Sequence, residues 1–402
     1  MTFEPDSRSP ETWLFIDGAS SFGGHEVMLL RWIEELLATG LITPRLAARA
    51  GSRLAGTAPP AVLTEALSAL APAAGGWREK LARPWRDLRA LVRIARREQP
   101  RQCVFASGSL GDQVLLAIAS RLLRRRVVVY VPLLDTFREM GYRKASLKDA
   151  FVRHVYARFP SAWVAISENQ ADHFRRWARP RGPVHVLPNT VARQLEADRP
   201  VTLRSIAQDD RIRVLVLGRM DAAQKGLDML MARLLRETPE RLARLHVGIV
   251  GEGPYRATLE SDRARHPQLA QCVTLEPWRP AAEVLGEYDL LFMPSRFEGV
   301  PLVMLEAMAL GLPVVASDLP GTRAYVPAEC LFAVGDLARA LDIVLRLRSL
   351  EERQSLAIRG RKTYERDASS AAFARRTAGL TRAISGRDRP VRAAPDVNAT
   401  GA

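Results

Sequence analysis

Between Val300 and Ala316 every residue is apolar, glycine or proline except Glu306. Pro301 suits the first turn of a helix in which Leu302, Leu305 and Ala309 would pack, carrying Glu306 in with them. An isolated buried carboxylate is costly unless it is paired or hydrogen-bonded, so Glu306 needs a partner. Glu298 lies a short way upstream, in Pro294-Ser295-Arg296-Phe297-Glu298-Gly299. That segment joins an expected strand to the helix, the position outside the carboxyl ends of the strands where open α/β sheets bind ligands. N–H groups at the helix start, Val300 to Leu302, would favour an anion such as phosphate. The alternative is that Glu306 pairs with an internal arginine for structural reasons and Glu298 is a solvated loop acid.

Two further turns converge on the same chemistry. Gly218-Arg219-Met220 follows an apolar run, and Gln224-Lys225-Gly226-Leu227 opens a helix. Glycine permits close backbone approach to a ligand, while Arg219 offers a bidentate fork and Lys225 a point charge, a pair suited to polyphosphate. Gly251-Glu252-Gly253-Pro254 is a turn of the same type after the next run. Each alone is an ordinary strand-to-helix turn; together they describe a site for a nucleoside diphosphate.

In spacing and order these segments, with Glu306-Ala307-Met308-Ala309-Leu310-Gly311-Leu312-Pro313 and Val314-Val315-Ala316-Ser317, resemble the donor half of family 4 retaining glycosyltransferases of GT-B fold, over about residues 211–330. The N-terminal half is similar to the acceptor domain more loosely, at Phe22-Gly23-Gly24-His25-Glu26 and Val186-Leu187-Pro188-Asn189-Thr190-Val191, where the family often has Asn-Gly for Asn189-Thr190. The resemblance implies that Arg219 and Lys225 bind the donor diphosphate, Glu306 accepts hydrogen bonds from the ribose, and Glu298 contacts the transferred sugar. It also implies that Gly218, Gly226, Gly251 and Gly253 line the donor, that N–H groups around Gly299, Val300 and Leu302 hold sugar or phosphate, and that Gly24 brings the first loop across the cleft. Many relatives carry a histidine after the fourth N-terminal strand; this chain reads Tyr130-Val131-Pro132-Leu133-Leu134-Asp135. Asp135 and His25 are then the acceptor-side candidates, His25 being equally readable as a helix-capping or surface histidine. No Asp-rich metal motif adjoins the site, so neither metal nor cofactor is expected.

The elements that must position these residues follow from hydrophobic periodicity. Strands are expected at Trp13 to Asp17, Cys103 to Ala106, Val127 to Val131, Trp163 to Ile166 and Val184 to Leu187. Helices are expected at His25 to Thr39, Leu110 to Leu123 and from Glu168. After a polar stretch, strands return at Val214 to Leu217, Val247 to Val250, Val273 to Leu275, Leu290 to Met293 and Pro313 to Ala316, alternating with helices from Leu227, Tyr255, Ala281 and Pro301. Strands separated by helices imply parallel sheets covered on both faces, hence an α/β chain of two Rossmann-like doubly wound domains facing a cleft. The expected division is an acceptor domain 1–192, a linker 193–210, a nucleotide-sugar domain 211–370, a helix 371–385 packing back on the first domain, and a disordered tail 386–402.

The chain has 402 residues, with 59 Lys and Arg against 44 Asp and Glu, a net charge of +15. Residues 51–200 hold +14 of it and residues 201–350 are near neutral at −1. A uniformly basic protein would suggest nucleic acid, but this asymmetry, with aromatics only 6% of the chain and no recognition motif, argues against that partner. A glycan or lipid-linked acceptor is expected, with an anionic membrane surface as a further partner. The arginine-rich segment Trp77 to Arg97, with Leu81, Trp85, Leu88, Leu91, Val92 and Ala95 on one stripe, is the candidate contact, the alternative being a core helix with a solvated basic face. The three cysteines have no disulfide or metal spacing, and the N-terminus is not a secretory signal, so a cytoplasmic location, peripheral on the inner membrane face, is expected. A nucleotide-sugar epimerase and a silent nucleotide-sugar binder are the competing functions.

Overall fold

The computed structural model describes residues 10–386 apart from 19–22, 64–65, 68–76, 109, 111–116, 118–120, 122–123, 198–199 and 208–209, and of residues 77–84 only the backbone. Most of the expected helix Leu110 to Leu123, the turn Ser20 to Phe22 and the tail beyond Gly386 lie outside the described residues.

The first sheet contains β1 (Glu11–Asp17), β2 (Ile42–Ala48), β3 (Gln102–Ala106), β4 (Arg126–Tyr130), β5 (Ala162–Ala165) and β6 (Val184–Val186) in the order β2-β1-β3-β4-β5-β6. The second contains β7 (Ile212–Leu217), β8 (Leu245–Val250), β9 (Val273–Glu276), β10 (Leu290–Met293), β11 (Val314–Ser317) and β12 (Leu331–Phe332) in the order β12-β11-β10-β7-β8-β9. Every pairing is parallel. Parallel strands joined by helical crossovers are buried on both faces, which is why they read as continuous apolar runs. Trp13 and Phe15 pack with Trp32 on one face of β1, while Leu14 and Ile16 pack with Leu91 and Ile94 on the other.

That second face settles the arginine-rich helix, Trp77–Glu98. Ala90, Leu91, Ile94 and Ala95 are buried, so the described part of its apolar stripe covers β1 and is not a membrane-facing surface. The physical reason is that an uncovered face of a parallel sheet would expose the whole strand row. A buried ion pair, Arg49 Nη2 to Asp87 Oδ2 at 3.1 Å, fastens the helix to the end of β2. Among the described apolar residues of the helix Trp85 stands out, 67% exposed.

The apolar stretch Gly299 to Ala316 forms a short helix, Leu302–Ala309, and then β11, and no described helix is long and apolar enough to cross a membrane. The polar segment after β6 carries a short helix, Arg193–Ala197, and is tied down: Glu196 Oε1 accepts from Ser370 N at 2.6 Å and from Tyr364 Oη. The helix Leu350–Asp367 ends at Ala368, because Ser369 caps a new helix, Ser370–Ser385, by accepting from Ala372 N. That last helix returns to the first sheet, where Gln102 Nε2 donates to Ile384 O at 3.4 Å.

Candidate active site

Chain order defines a switch point in each sheet. In the second sheet β7, β8 and β9 run outward on one side, and the chain then crosses to β10 on the other side of β7. The loops leaving β7 and β10 therefore diverge and open a crevice at their carboxyl ends. Gly218 to Lys225 follow β7, and Pro294 to Leu302 follow β10. In the first sheet the switch lies between β1 and β3.

The two crevices face each other. An added Cβ on Gly24, after β1, would meet Leu302 Cδ1 at 3.5 Å, and one on Gly299 would fall 2.6 Å from Pro132 O, after β4. Asn189 Nδ2, after β6, donates to Val300 O at 2.7 Å. Arg53 lies 5.4 Å from the ring centre of Trp278, after β9. The carboxyl edges of both sheets thus meet across one cleft.

Within it, Asp221 caps the short helix Ala222–Lys225 by accepting from Gln224 N at 3.2 Å. Gly226 ends that helix at φ 65° and starts the next, Leu227–Leu234; a Cβ there would lie 2.1 Å from Pro294 O. Only glycine fits this reversal against the β10 loop. Arg296 clamps the same junction: its guanidinium donates to both carboxylate oxygens of Asp228 at 2.7 and 2.6 Å, and its backbone N–H donates to Gln224 O at 2.8 Å. Those bonds hold the Asp228 carboxyl below its ordinary range.

So fixed, Lys225 Nζ reaches Glu298 Oε1 at 2.5 Å, with the two side chains 19% and 7% exposed. Ser295 Oγ donates to the same oxygen at 2.9 Å and Gln224 Nε2 to Oε2 at 3.5 Å. Glu298 is therefore a sequestered, paired acid and not a solvated one. The Glu306 carboxyl has no hydrogen bond or ion pair among the described residues, and burial pushes it up to about 7. Among the described residues no arginine pairs with it.

Gly218 and Gly251 interlock, a Cβ on Gly251 falling 1.9 Å from Gly218 O, and one on Gly253 would fall 2.4 Å from Met220 O. Met220 N donates to Glu252 O at 2.8 Å, so the two glycine turns form one floor. Val300 is buried at the start of the Leu302–Ala309 helix. Arg219 departs from the rest: its side chain is 60% exposed and pairs with its neighbour Asp221 at 3.2 Å, outside the Lys225–Glu298 pair.

On the N-terminal side of the cleft His25 is neither a surface nor a capping histidine. Its ring is 14% exposed, with Nδ1 3.0 Å from Glu26 Oε2 and Nε2 3.5 Å from Asp17 Oδ2, against Gly108. Glu26 Oε2 also accepts from Gly23 N at 2.8 Å, closing the helix start. Asp17 and Glu26 escaped the sequence reading, although a carboxylate at a strand's carboxyl end and an acid three residues past the helix cap were legible signals. Asp135 lies instead with Glu139 and His173; burial first, then Glu139, push its carboxyl up while His173 opposes them. Asp135–Glu139–His173 and Asp17–His25–Glu26 are the groupings of metal-ligating type among the described residues, and both lie in the first half.

Such a pair of facing doubly wound sheets is the GT-B fold, shared with solved glycosyltransferase structures. The Anabaena Alr3699/HepE structure in complex with UDP superposes with a TM-score of 0.71 at 18% identity, covering 93% of this chain and 100% of that one. Sucrose-phosphate synthase from Thermosynechococcus elongatus gives 0.73 at 19% identity, covering 94% and 100%. Residues 211–349 match the family model described as "Glycosyl transferases group 1". EpsF of Bacillus subtilis is 30% identical over 144 residues, 34% of this chain and 37% of that protein. The D-inositol 3-phosphate glycosyltransferase of Thermobispora bispora is 36% identical over 122 residues, 28% of each. The chain thus spans about a third of the length of the curated relatives it matches.

Proposed function

We propose that this chain is a retaining, metal-independent glycosyltransferase. It moves a sugar from a nucleoside diphosphate sugar to a glycan or lipid-linked acceptor, in cell-surface polysaccharide or glycolipid synthesis at the cytoplasmic face of a membrane. The observation that carries this is the Lys225–Glu298 pair joining the two loops of a switch point, with the Glu306 carboxyl, unpartnered among the described residues, on the helix that follows the second loop. The match of residues 211–349 to a glycosyltransferase family and the UDP and UDP-glucose complexes among structures of like fold support a nucleotide-sugar donor.

The chemistry assigned to the site is a front-face substitution. The bond from the sugar's anomeric carbon to the diphosphate breaks and its electron pair leaves with phosphate. The acceptor oxygen bonds to the same face, and its proton passes to the departing phosphate. Lys225 meets the charge that develops on the leaving group, where fixed cations lower the barrier most, and Arg219 swings in from solvent to the same diphosphate. Glu306 accepts from the ribose hydroxyls and Glu298 orients the sugar. The N–H groups of Gly299, Val300 and Leu302 complete an anion cradle at the helix start.

A thermal-shift screen against UDP, GDP and ADP sugars tests the donor, since a ligand that binds only the folded state raises its apparent stability. A protein stabilised by none of them defeats the proposal. Transfer should continue undiminished in EDTA, with the product's anomeric configuration by NMR matching the donor's. Abolition by chelator with rescue by magnesium would remove metal independence.

A further inference from the structure

The acceptor half carries an apolar stripe that the fold leaves uncovered. The helix Ala145–His154 buries only Val152. Leu147, Phe151 and Val155 are 72%, 42% and 39% exposed, and Tyr142, just before the helix, is 48% exposed. Residues four apart share a helix face, so the first three form one row. Nine large apolar side chains are exposed among the described residues, and four of them fall in this short segment, which makes it a patch and not scatter.

Its rim is cationic. From Arg138 to Arg158 there are six Lys and Arg against Glu139 and Asp149. Both acids are spent on the protein itself. Asp149 Oδ1 accepts from Phe137 N at 2.7 Å, and Glu139 accepts from Thr136 N at 2.8 Å and faces His173 at 3.0 Å. Arg143, Lys144, Lys148 and Arg158 are exposed. Lys148 Nζ sits 5.0 and 4.8 Å from the ring centres of Phe137 and Tyr142, which holds Tyr142 at the edge of the patch.

An apolar row alone fits many partners; ringed by cations whose neighbouring acids are engaged, it fits one that is anionic at its surface and apolar beneath. We infer that this face docks onto an anionic lipid bilayer. Leu147, Phe151, Val155 and Tyr142 enter the headgroup level, and Arg143, Lys144, Lys148 and Arg158 meet lipid phosphates. The loop leading to this helix starts at Pro132, whose carbonyl lies against Gly299 of the donor loop. A bilayer here therefore lies one loop from the cleft, within reach of a lipid-linked acceptor. Only this orientation rests on the proposed glycosyltransferase reading. The membrane contact moves from the Trp77–Glu98 helix, whose stripe is core, to the Ala145–His154 helix.

The test is flotation of the full chain with mixed phosphatidylcholine–phosphatidylglycerol vesicles, at low and high salt, with pure phosphatidylcholine as control. Wild type should float with the mixed vesicles and lose binding as salt screens the cations. Leu147→Ser/Phe151→Ser should weaken partitioning at least about tenfold. Arg143→Glu/Lys144→Glu should do so by more, at roughly fivefold per basic residue removed from an anionic surface. Both variants should keep the wild-type thermal midpoint and UDP affinity. Absence of UDP binding with vesicle binding intact would sink the enzymatic reading and uphold this one. Wild type that ignores anionic vesicles, or variants that bind as wild type does, would overturn it. So would stripe substitutions that turn a dimer into a monomer while vesicle binding persists, because the face would then be a self-association surface.

Discussion

Lys225→Ala separates the structural role that the ion pair gives to one ammonium group from the catalytic role proposed for it. In the free protein it leaves Glu298, 7% exposed, with only Ser295 Oγ at 2.9 Å and Gln224 Nε2 at 3.5 Å. Breaking a fully buried pair costs about 3–5 kcal/mol; Lys225 keeps some contact with water, so about 1–3 kcal/mol is expected here. In the proposed transfer the same substitution removes the cation assigned to the departing diphosphate. Loss of one such placed donor costs about 2.7–4 kcal/mol in the barrier, or about 10²–10³ in turnover. The double variant Lys225→Ala/Glu298→Gln pulls the two apart. With no charge stranded, its urea midpoint should return close to wild type, while turnover stays as low as in the single variant or falls further. Unfolding curves, UDP calorimetry and initial rates at saturating donor measure the three quantities independently. Wild-type turnover in Lys225→Ala would refute the assignment, and recovery of turnover in the double variant would reduce Lys225 to a structural residue.

Glu306→Gln should change the pH dependence of both stability and binding. Burial raises the Glu306 carboxyl from 4.5 to about 7. Between those values the folded protein holds a proton that the unfolded chain has released, so this group's stabilisation is full below 4.5 and is lost as pH rises through about 7, amounting to about 3 kcal/mol. Ligand-free Glu306→Gln should therefore gain on wild type in urea melts as pH climbs through that window, and lose the rise in donor affinity that ionisation gives wild type; parallel curves would refute this. Gly226→Ala, at φ 65° and with its Cβ 2.1 Å from Pro294 O, should lower stability by more than about 1 kcal/mol in the same melts and reduce donor affinity by shifting the loop that carries Glu298. Asp289→Asn should cost about 3–5 kcal/mol by stranding the buried Arg353, 3.1 Å away, yet leave UDP affinity of the folded fraction unchanged, because that pair lies outside the cleft.

Elements were legible where a parallel strand's double burial wrote an unbroken apolar run, as in β4, β7 and β10. They were hidden where position in the sheet relaxed that demand. β2 is an edge strand, so it tolerates Pro44 and Arg45, and its sequence reads as a loop. β12, at the other sheet's edge, is two residues long and too short for any period to show. The stripe on Trp77–Glu98 illustrates a different limit. An amphipathic arginine-rich helix presents the same pattern whether its apolar face meets lipid or the far side of a sheet, and only the open face of β1 decides between them.

The donor site divides along the same physical line. Glu306 was readable because a lone charge in an apolar run is expensive, and cost marks function whether or not the partner is known. Glu298 and Lys225 were readable as residue types, but their pairing was not, since it joins loops after β7 and β10 that become neighbours only through the sheet's crossover. The same crossover conceals Arg296, which looks like one arginine among many until Asp228 is brought beneath it to hold the two loops in register. Near-neutral charge across residues 201–350 is therefore no obstacle to binding a diphosphate. Arg296 is paired with Asp228 and Lys225 with Glu298, so these two cations stay masked until an anion competes for them. Arg219, exposed and bound only to the adjacent Asp221, is the cation most readily released. Affinity for phosphate in this half should accordingly depend on exchange of ion pairs, and fall only modestly with added salt, whereas the basic face around Leu147 and Phe151 should lose its partner steeply.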